Sequence, residues 1–134
     1  MEKTDIKSLP LEQLEQWVIE HGEKKFRAKQ LYQWMHVKLA DDLDQMSNLP
    51  AKLRNEISEK CTFTVLSQVT MQESAIDGTR KYLFELEDHN MVESVLMRYK
   101  HGNSVCISSQ VGCRMGCRFC ASTLDGLVRN LTPA

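Results

Sequence analysis

Residues 104–130 read SVCISSQVGCRMGCRFCASTLDGLVRN, and this stretch decides how the chain is to be understood. It holds four of the five cysteines. Cys113, Cys117 and Cys120 form Cys-x3-Cys-x2-Cys, with Phe119 just ahead of the last, and Cys106 lies upstream. Packing does not explain thiols in a polar, glycine-flanked loop, but three this close can converge on one metal centre. Disulfides are a poor account, because the cysteine count is odd and no signal peptide is recognisable; both point to a reducing compartment. A closed zinc site takes four ligands, usually as two separated pairs, and here Cys106 or His101 would have to complete it. An iron–sulfur cubane is usually held by four cysteines, and three would leave one iron open to a substrate or cofactor. Thiol chemistry alone leaves a cluster, a zinc site and an incidental or redox grouping all open.

Upstream of this loop the apolar period is two. FTVLSQVTMQ (63–72) reads as a strand, Asp77-Gly78 as a turn, and Tyr82, Phe84 and Leu86 alternate. Asp88-His89-Asn90 marks the next turn, Met91–Tyr99 another strand, Lys100–Asn103 a loop around Gly102, and Ser104–Ser109 a strand feeding the cysteines. The odd positions of Met91–Tyr99 are Met91, Glu93, Val95, Met97 and Tyr99, so alternation sets Glu93 on an otherwise apolar face. A carboxylate there costs free energy unless it is paired or protonated, and burial would raise its pKa and suit it to act as a base. The plainer reading is a solvent-facing carboxylate, or one paired with Arg98 or Arg80.

Further upstream the period becomes helical. Ser8 is a candidate N-cap ahead of Pro10, with Leu11, Leu14, Trp17 and Val18 on one face and Gly22 as the stop. Ala28, Leu31, Tyr32, Met35 and Leu39 mark a second helix. A short element carries Leu43 and Met46. Ser47 or Asn48 then caps a third helix with Pro50 in its first turn and Leu49, Leu53 and Ile57 facing one way. Cys61, at the end of this run, reads as a buried structural cysteine. Lys24, Lys25, Arg27 and Lys29 form a basic run, and Arg114, Arg118 and Arg129 surround the cysteines. Such runs are usually solvated faces.

The 134 residues suit a small domain, and 42% hydrophobic content suffices for a core. The net charge of −1 gives no global basic field that would announce nucleic acid. No apolar run is long enough to span a membrane, and no repeat or low-complexity segment stands out. A globular, intracellular protein is expected. The order is α+β: a helical module (1–62), a short antiparallel sheet (63–103), then a strand and metal loop (104–134).

Cys-x3-Cys-x-aromatic-Cys resembles the signature of the radical S-adenosylmethionine superfamily. VESVLMRY, SVCISSQVGCRMGCRFCAST and GLVRNLT, with FRAKQLYQW and DGTRKYLFEL, closely resemble the RlmN/Cfr family of RNA adenine methyltransferases, from about Ser8 to Thr132. The wording RMGCRFCAST is closer to RlmN. The resemblance implies that Cys113, Cys117 and Cys120 hold a [4Fe-4S] cluster whose open iron chelates S-adenosylmethionine, and that Phe119 packs beside the cofactor adenine. It implies two catalytic residues. Glu93 accepts the proton leaving the adenine carbon. Cys106 resolves a covalent protein–RNA intermediate by forming a disulfide with a methyl-carrying cysteine near the C-terminus of such enzymes. It further implies that the helical module (1–62) is an RNA-binding-type accessory module whose basic run contacts phosphates. It also implies carbon-2 methylation of adenosine in 23S ribosomal RNA and transfer RNA, an electron donor such as flavodoxin, a cytoplasmic monomer and no membrane.

The rivals are a Cfr-type enzyme acting on carbon 8 and a stand-alone RNA- or metal-binding module without catalysis. In the superfamily the cysteine loop follows the first strand of a partial (β/α) barrel, and a full barrel needs roughly 200 residues or more. Thr132-Pro133 looks like the start of a helix at the very end of the chain. The expectation is an N-terminal fragment that is inactive by itself, lacking the methyl-carrying cysteine and most of the barrel.

Overall fold

In the computed structural model, which describes residues 2–134, the apolar periods separate into two units. One runs to Thr64 and includes Thr132–Ala134; the other is Val65–Leu131.

The first unit holds β1 (Thr4–Asp5), a 3-10 turn (Ile6–Ser8), α1 (Leu11–Glu20), α2 (Phe26–His36), a second 3-10 turn (Leu43–Gln45), α3 (Ala51–Lys60) and β2 (Cys61–Thr62). β1 and β2 pair in parallel, Thr4 opposite Cys61. The stripes Leu14–Trp17–Val18, Ala28–Leu31–Met35 and Leu53–Ile57 meet in one core, joined by Ile6, Met46, Leu49 and Cys61. Each large side chain buried there contributes about 1.5–3 kcal/mol. Gly22, at φ +79°, closes α1: Glu23 N–H donates to the Val18 carbonyl (2.9 Å) and Gly22 N–H to that of Ile19 (3.0 Å). This double bond past the helix end needs a left-handed residue, which glycine supplies cheaply.

Three expectations for these helices fail in detail. Ser8 does not cap α1; it ends the first 3-10 turn and its hydroxyl donates to Asp5 Oδ2 at 2.7 Å. Neither Ser47 nor Asn48 caps α3, and Asn48 Oδ1 accepts from Trp34 Nε1 at 2.6 Å. Proline holds the cap in both cases: Pro10 and Pro50 are extended, with ψ 160° and 143°, and their carbonyls accept from Leu14 and Arg54. A residue before proline is pushed out of the helical region, so each Leu-Pro pair delays the helix to the following residue. Leu39 lies beyond α2 at φ +53° and is 70% exposed, while Ala40 is buried.

The second unit is built on an antiparallel sheet of β3 (Ser67–Glu73), β4 (Arg80–Glu85), β5 (Met91–Tyr99) and β6 (Gly102–Cys106), in that order. β7 (Gln110–Gly112) and β8 (Leu127–Asn130) form a separate antiparallel pair. Leu86, Val92 and Val111 make its small core, with Phe84 and Leu131 against them. The strand expected at 63–72 begins at Ser67, because Phe63 packs on the helical core and takes Lys7 Nζ over its ring at 4.3 Å. The strand expected at 104–109 stops at Cys106, the end of β6, with 107–109 outside any strand before β7 begins at Gln110, and pairing of Tyr99 with Gly102 draws the expected 100–103 loop partly into β6. The 103/104 boundary therefore falls inside a strand.

Candidate functional site

The cysteine loop hangs between β7 and β8. Gly112, at φ +74°, lies so close to the other limb that an added Cβ would run into the Gly126 carbonyl oxygen. That carbonyl accepts from Cys113 N–H at 3.0 Å. Inside the loop, Cys120 N–H donates to the Cys117 carbonyl (3.2 Å), and the Thr123 hydroxyl lies 3.0 Å from the carbonyls of both Cys117 and Cys120. Arg129 Nε, on β8, donates to Asp88 Oδ2 at 2.6 Å, which ties the exit strand to the β4–β5 turn. That guanidinium, with Asn90, holds the Asp88 carboxyl down at about 2.

Cys113, Cys117 and Cys120 are free thiols of intermediate burial, and Cys106 is a free, exposed thiol. Among the described residues no three histidine, cysteine or acidic side chains stand close enough to hold a metal. Three thiols are the right chemistry for an iron–sulfur centre, but this arrangement of the loop does not gather them, and neither Cys106 nor His101 completes a zinc site. His101 instead stacks on Tyr99, with ring centroids 5.1 Å apart. Phe119 is 93% exposed.

Of the two readings open for Glu93, the structure takes the solvent-facing one. Its side chain is exposed and forms an ion pair with Lys81 Nζ at 3.1 Å, not with Arg98 or Arg80; Arg80 bonds Glu73. The reason lies in which face of β5 the core takes. Val92 is buried with Phe84, its partner on β4, so around Glu93 the even face is inside and the odd face open, while Val95 and Met97 further along the odd face are half-buried. On that open face the register does bring the two expected catalytic residues together. Lys81 on β4 stands opposite Val95, and Val95 opposite Cys106 on β6. Directly paired residues share a side, and so do residues two apart on a strand, so Lys81, Glu93 and Cys106 lie on one face. Ser108 Oγ donates to the Glu93 carbonyl at 3.3 Å. Glu93, Ser108 and Cys113 line one hollow of about 550 Å³ with Leu83 and Ser122.

Residue motifs alone missed Lys81, Ser108 and Asp88. Lys81 was within reach of the sequence, since counting outward from the Asp88-His89-Asn90 turn sets it opposite Val95 and so beside Glu93. In the basic run, Lys25 pairs with Glu15 (3.1 Å) and Arg27 donates to Gln30 and to the Asn48 carbonyl, whereas Lys24 and Lys29 are exposed. No helix among the described residues is long and apolar enough to cross a membrane.

Residues 4–63 match the family described as the ribosomal RNA large subunit methyltransferase N-terminal domain. Over 98% of its length the chain is 62% identical to a protein of Lachnospira eligens named probable dual-specificity RNA methyltransferase RlmN, covering 37% of that relative. Proteins of the same name from Lachnoclostridium phytofermentans and Staphylococcus carnosus are 58% and 53% identical over 97% of the chain, which covers 36% and 35% of them. The chain thus spans about a third of the length of these relatives. Its fold matches the crystal structure of a radical SAM methyltransferase from Sphaerobacter thermophilus at TM-score 0.86 and 38% identity, over 96% of this chain and 38% of that one.

Proposed function

We infer that this chain, a member of the RlmN/Cfr family, is the N-terminal part of a dual-specificity RNA methyltransferase that methylates carbon 2 of adenosine in 23S ribosomal RNA and in transfer RNA. The observation that carries this reading is the 62% identity, over 98% of the chain, to a relative of that name. The likeness to a radical SAM methyltransferase supports the class of chemistry. On this reading β7 and the loop after it begin the partial barrel, and Cys113, Cys117 and Cys120 are the thiols that hold a [4Fe-4S] cluster. Bound with S-adenosylmethionine, such a centre supplies radical chemistry, and the protein supplies orientation and shelter from water. The loop described here must draw its thiols together before it holds such a group, and Phe119 must turn from solvent to meet the cofactor adenine.

The residues of the open face carry the rest. Glu93 receives the proton leaving the adenine carbon. Cys106, on the same face, forms the disulfide that releases the base. An electron donor such as flavodoxin, a cytoplasmic location and a monomeric state belong to the same proposal. The test is mass-spectrometric analysis of adenosines in RNA treated with the full-length, anaerobically reconstituted enzyme. 2-Methyladenosine in both RNAs is the expected result. 8-Methyladenosine would replace this reading with the Cfr-type one, and no methylation by a cluster-loaded enzyme would overturn both.

A further inference from the structure

Lys81 has no part in the cysteine signature or in the proton transfer given to Glu93, yet it is the side chain the sheet brings to that carboxylate. Its Nζ lies 3.1 Å from Glu93 Oε1. The contact is diagonal across the β4–β5 ladder, since Lys81 faces Val95 and Glu93 faces Leu83. Diagonal neighbours are within reach of long side chains on one face of a sheet. The carbonyl of Glu93 is held separately by the Ser108 hydroxyl. Among the described residues no hydrogen bond is made to Oε2.

We propose that Lys81 is a positioning residue: it fixes Oε1 of Glu93 and thereby presents Oε2 on the face shared with Cys106. A free glutamate side chain on an open sheet samples several rotamers, and a proton acceptor is useful only in those that point at the proton. Anchoring one carboxylate oxygen to an ammonium narrows that set and leaves the other oxygen to work. Both side chains are about half exposed, at 48% and 56%, and an ion pair this open contributes little to folding. Loss of Lys81 should therefore be felt in the reaction rather than in stability.

The inference rests on Glu93 being the proton acceptor, and the experiment separates the two claims. In the full-length reconstituted enzyme, kcat and KM for RNA are measured for Lys81→Met, Lys81→Arg and Glu93→Gln, with denaturing gels for the covalent protein–RNA adduct. Lys81→Met is expected to lower kcat about 10- to 100-fold, the scale of a small misplacement of a reacting group. KM should change less than about twofold, with adduct accumulating as it does for Glu93→Gln. Lys81→Arg, which keeps the cation, should recover most of kcat. A stalled Glu93→Gln beside a normal Lys81→Met overturns the positioning role and leaves the base intact. A raised KM at unchanged kcat for Lys81→Met overturns it in favour of an RNA contact. Failure of Lys81→Arg to rescue overturns the claim that the cation does the positioning. Normal turnover by Glu93→Gln removes the base, and this inference with it.

Discussion

The helical unit and the sheet unit are of similar length but are held together differently. Among the described residues the first buries thirteen apolar side chains in one cluster; the second buries three. Every residue of β3 is exposed, and Val69, Met71, Ile76, Val105 and Ile107 keep much of their apolar surface in water. The helices stand on hydrophobic burial, whereas the sheet stands on its ladder of backbone hydrogen bonds and a few polar ties. The candidate site residues Glu93, Cys106 and the three loop thiols lie in the unit with the thinner core, as expected where a site needs open surface and movement.

The sharpest way to break this contrast is to hollow the helical core. Leu53 is fully buried, and Leu53→Ala should cost about 2–5 kcal/mol. Urea denaturation followed by tryptophan fluorescence measures it, because Trp17 and Trp34, the chain's two tryptophans, are both in that unit. Val92→Ala in the sheet should cost only about 1–2 kcal/mol, the worth of two methylene-sized groups, and should leave that fluorescence transition in place. Cys61 sharpens the same point. Burial pushes its thiol up to about 11, so with Ellman's reagent at pH 8 it should react only as the helical unit opens, well after the four other thiols.

The next effect concerns the loop. Gly112→Ala forces a side chain into a left-handed backbone, costing about 1–3 kcal/mol before the clash with Gly126 is counted. Hydrogen exchange should show lost protection in β7 and β8 and none in α1–α3. The smallest effect is acid loosening. The folded pKa of Asp88 is about 2 against an ordinary 3.8, so the stability it lends is whole above about pH 4 and is lost as the pH falls toward 2. Amide protection factors in β8, which remove the intrinsic pH dependence of exchange, should fall over that window, and Asp88→Asn should abolish that fall.

The helices were legible because a 3.6-residue period names a single face, and Leu14, Trp17, Val18, Leu31, Met35, Leu53 and Ile57 are buried as that period requires. Their starts were not, because Ser8 and Asn48 have the chemistry of caps while the backbone restriction of Leu-Pro decides the boundary. Strand alternation is weaker information: it separates two faces without saying which is inside. The odd face of β5 looked apolar through Met91, Val95 and Met97, but the core is chosen by Val92 with Phe84 and Val111, residues brought together only by pairing. The cysteine spacing pointed, by resemblance, to a superfamily and to three candidate thiols. It could not supply the loop's conformation, which here is set by backbone bonds to Gly126, Cys117 and Cys120.

The turn from Leu86 to Asn90 serves two masters. Its closing bonds, Leu86 N–H to the Asn90 carbonyl and His89 N–H to that of Leu86, fix how β4 meets β5; its Asp88 carboxylate grips Arg129. Point substitutions there would touch one duty or the other. Changing the turn's length by one residue would touch both, because a single-step slip sends every side chain of a strand to the opposite side. Lys81 and Glu93 would part at the moment β8 lost its anchor. The spacing of this turn is thus a gauge shared by the face that bears Glu93 and by the thiol loop, and the two should fail together when it is altered.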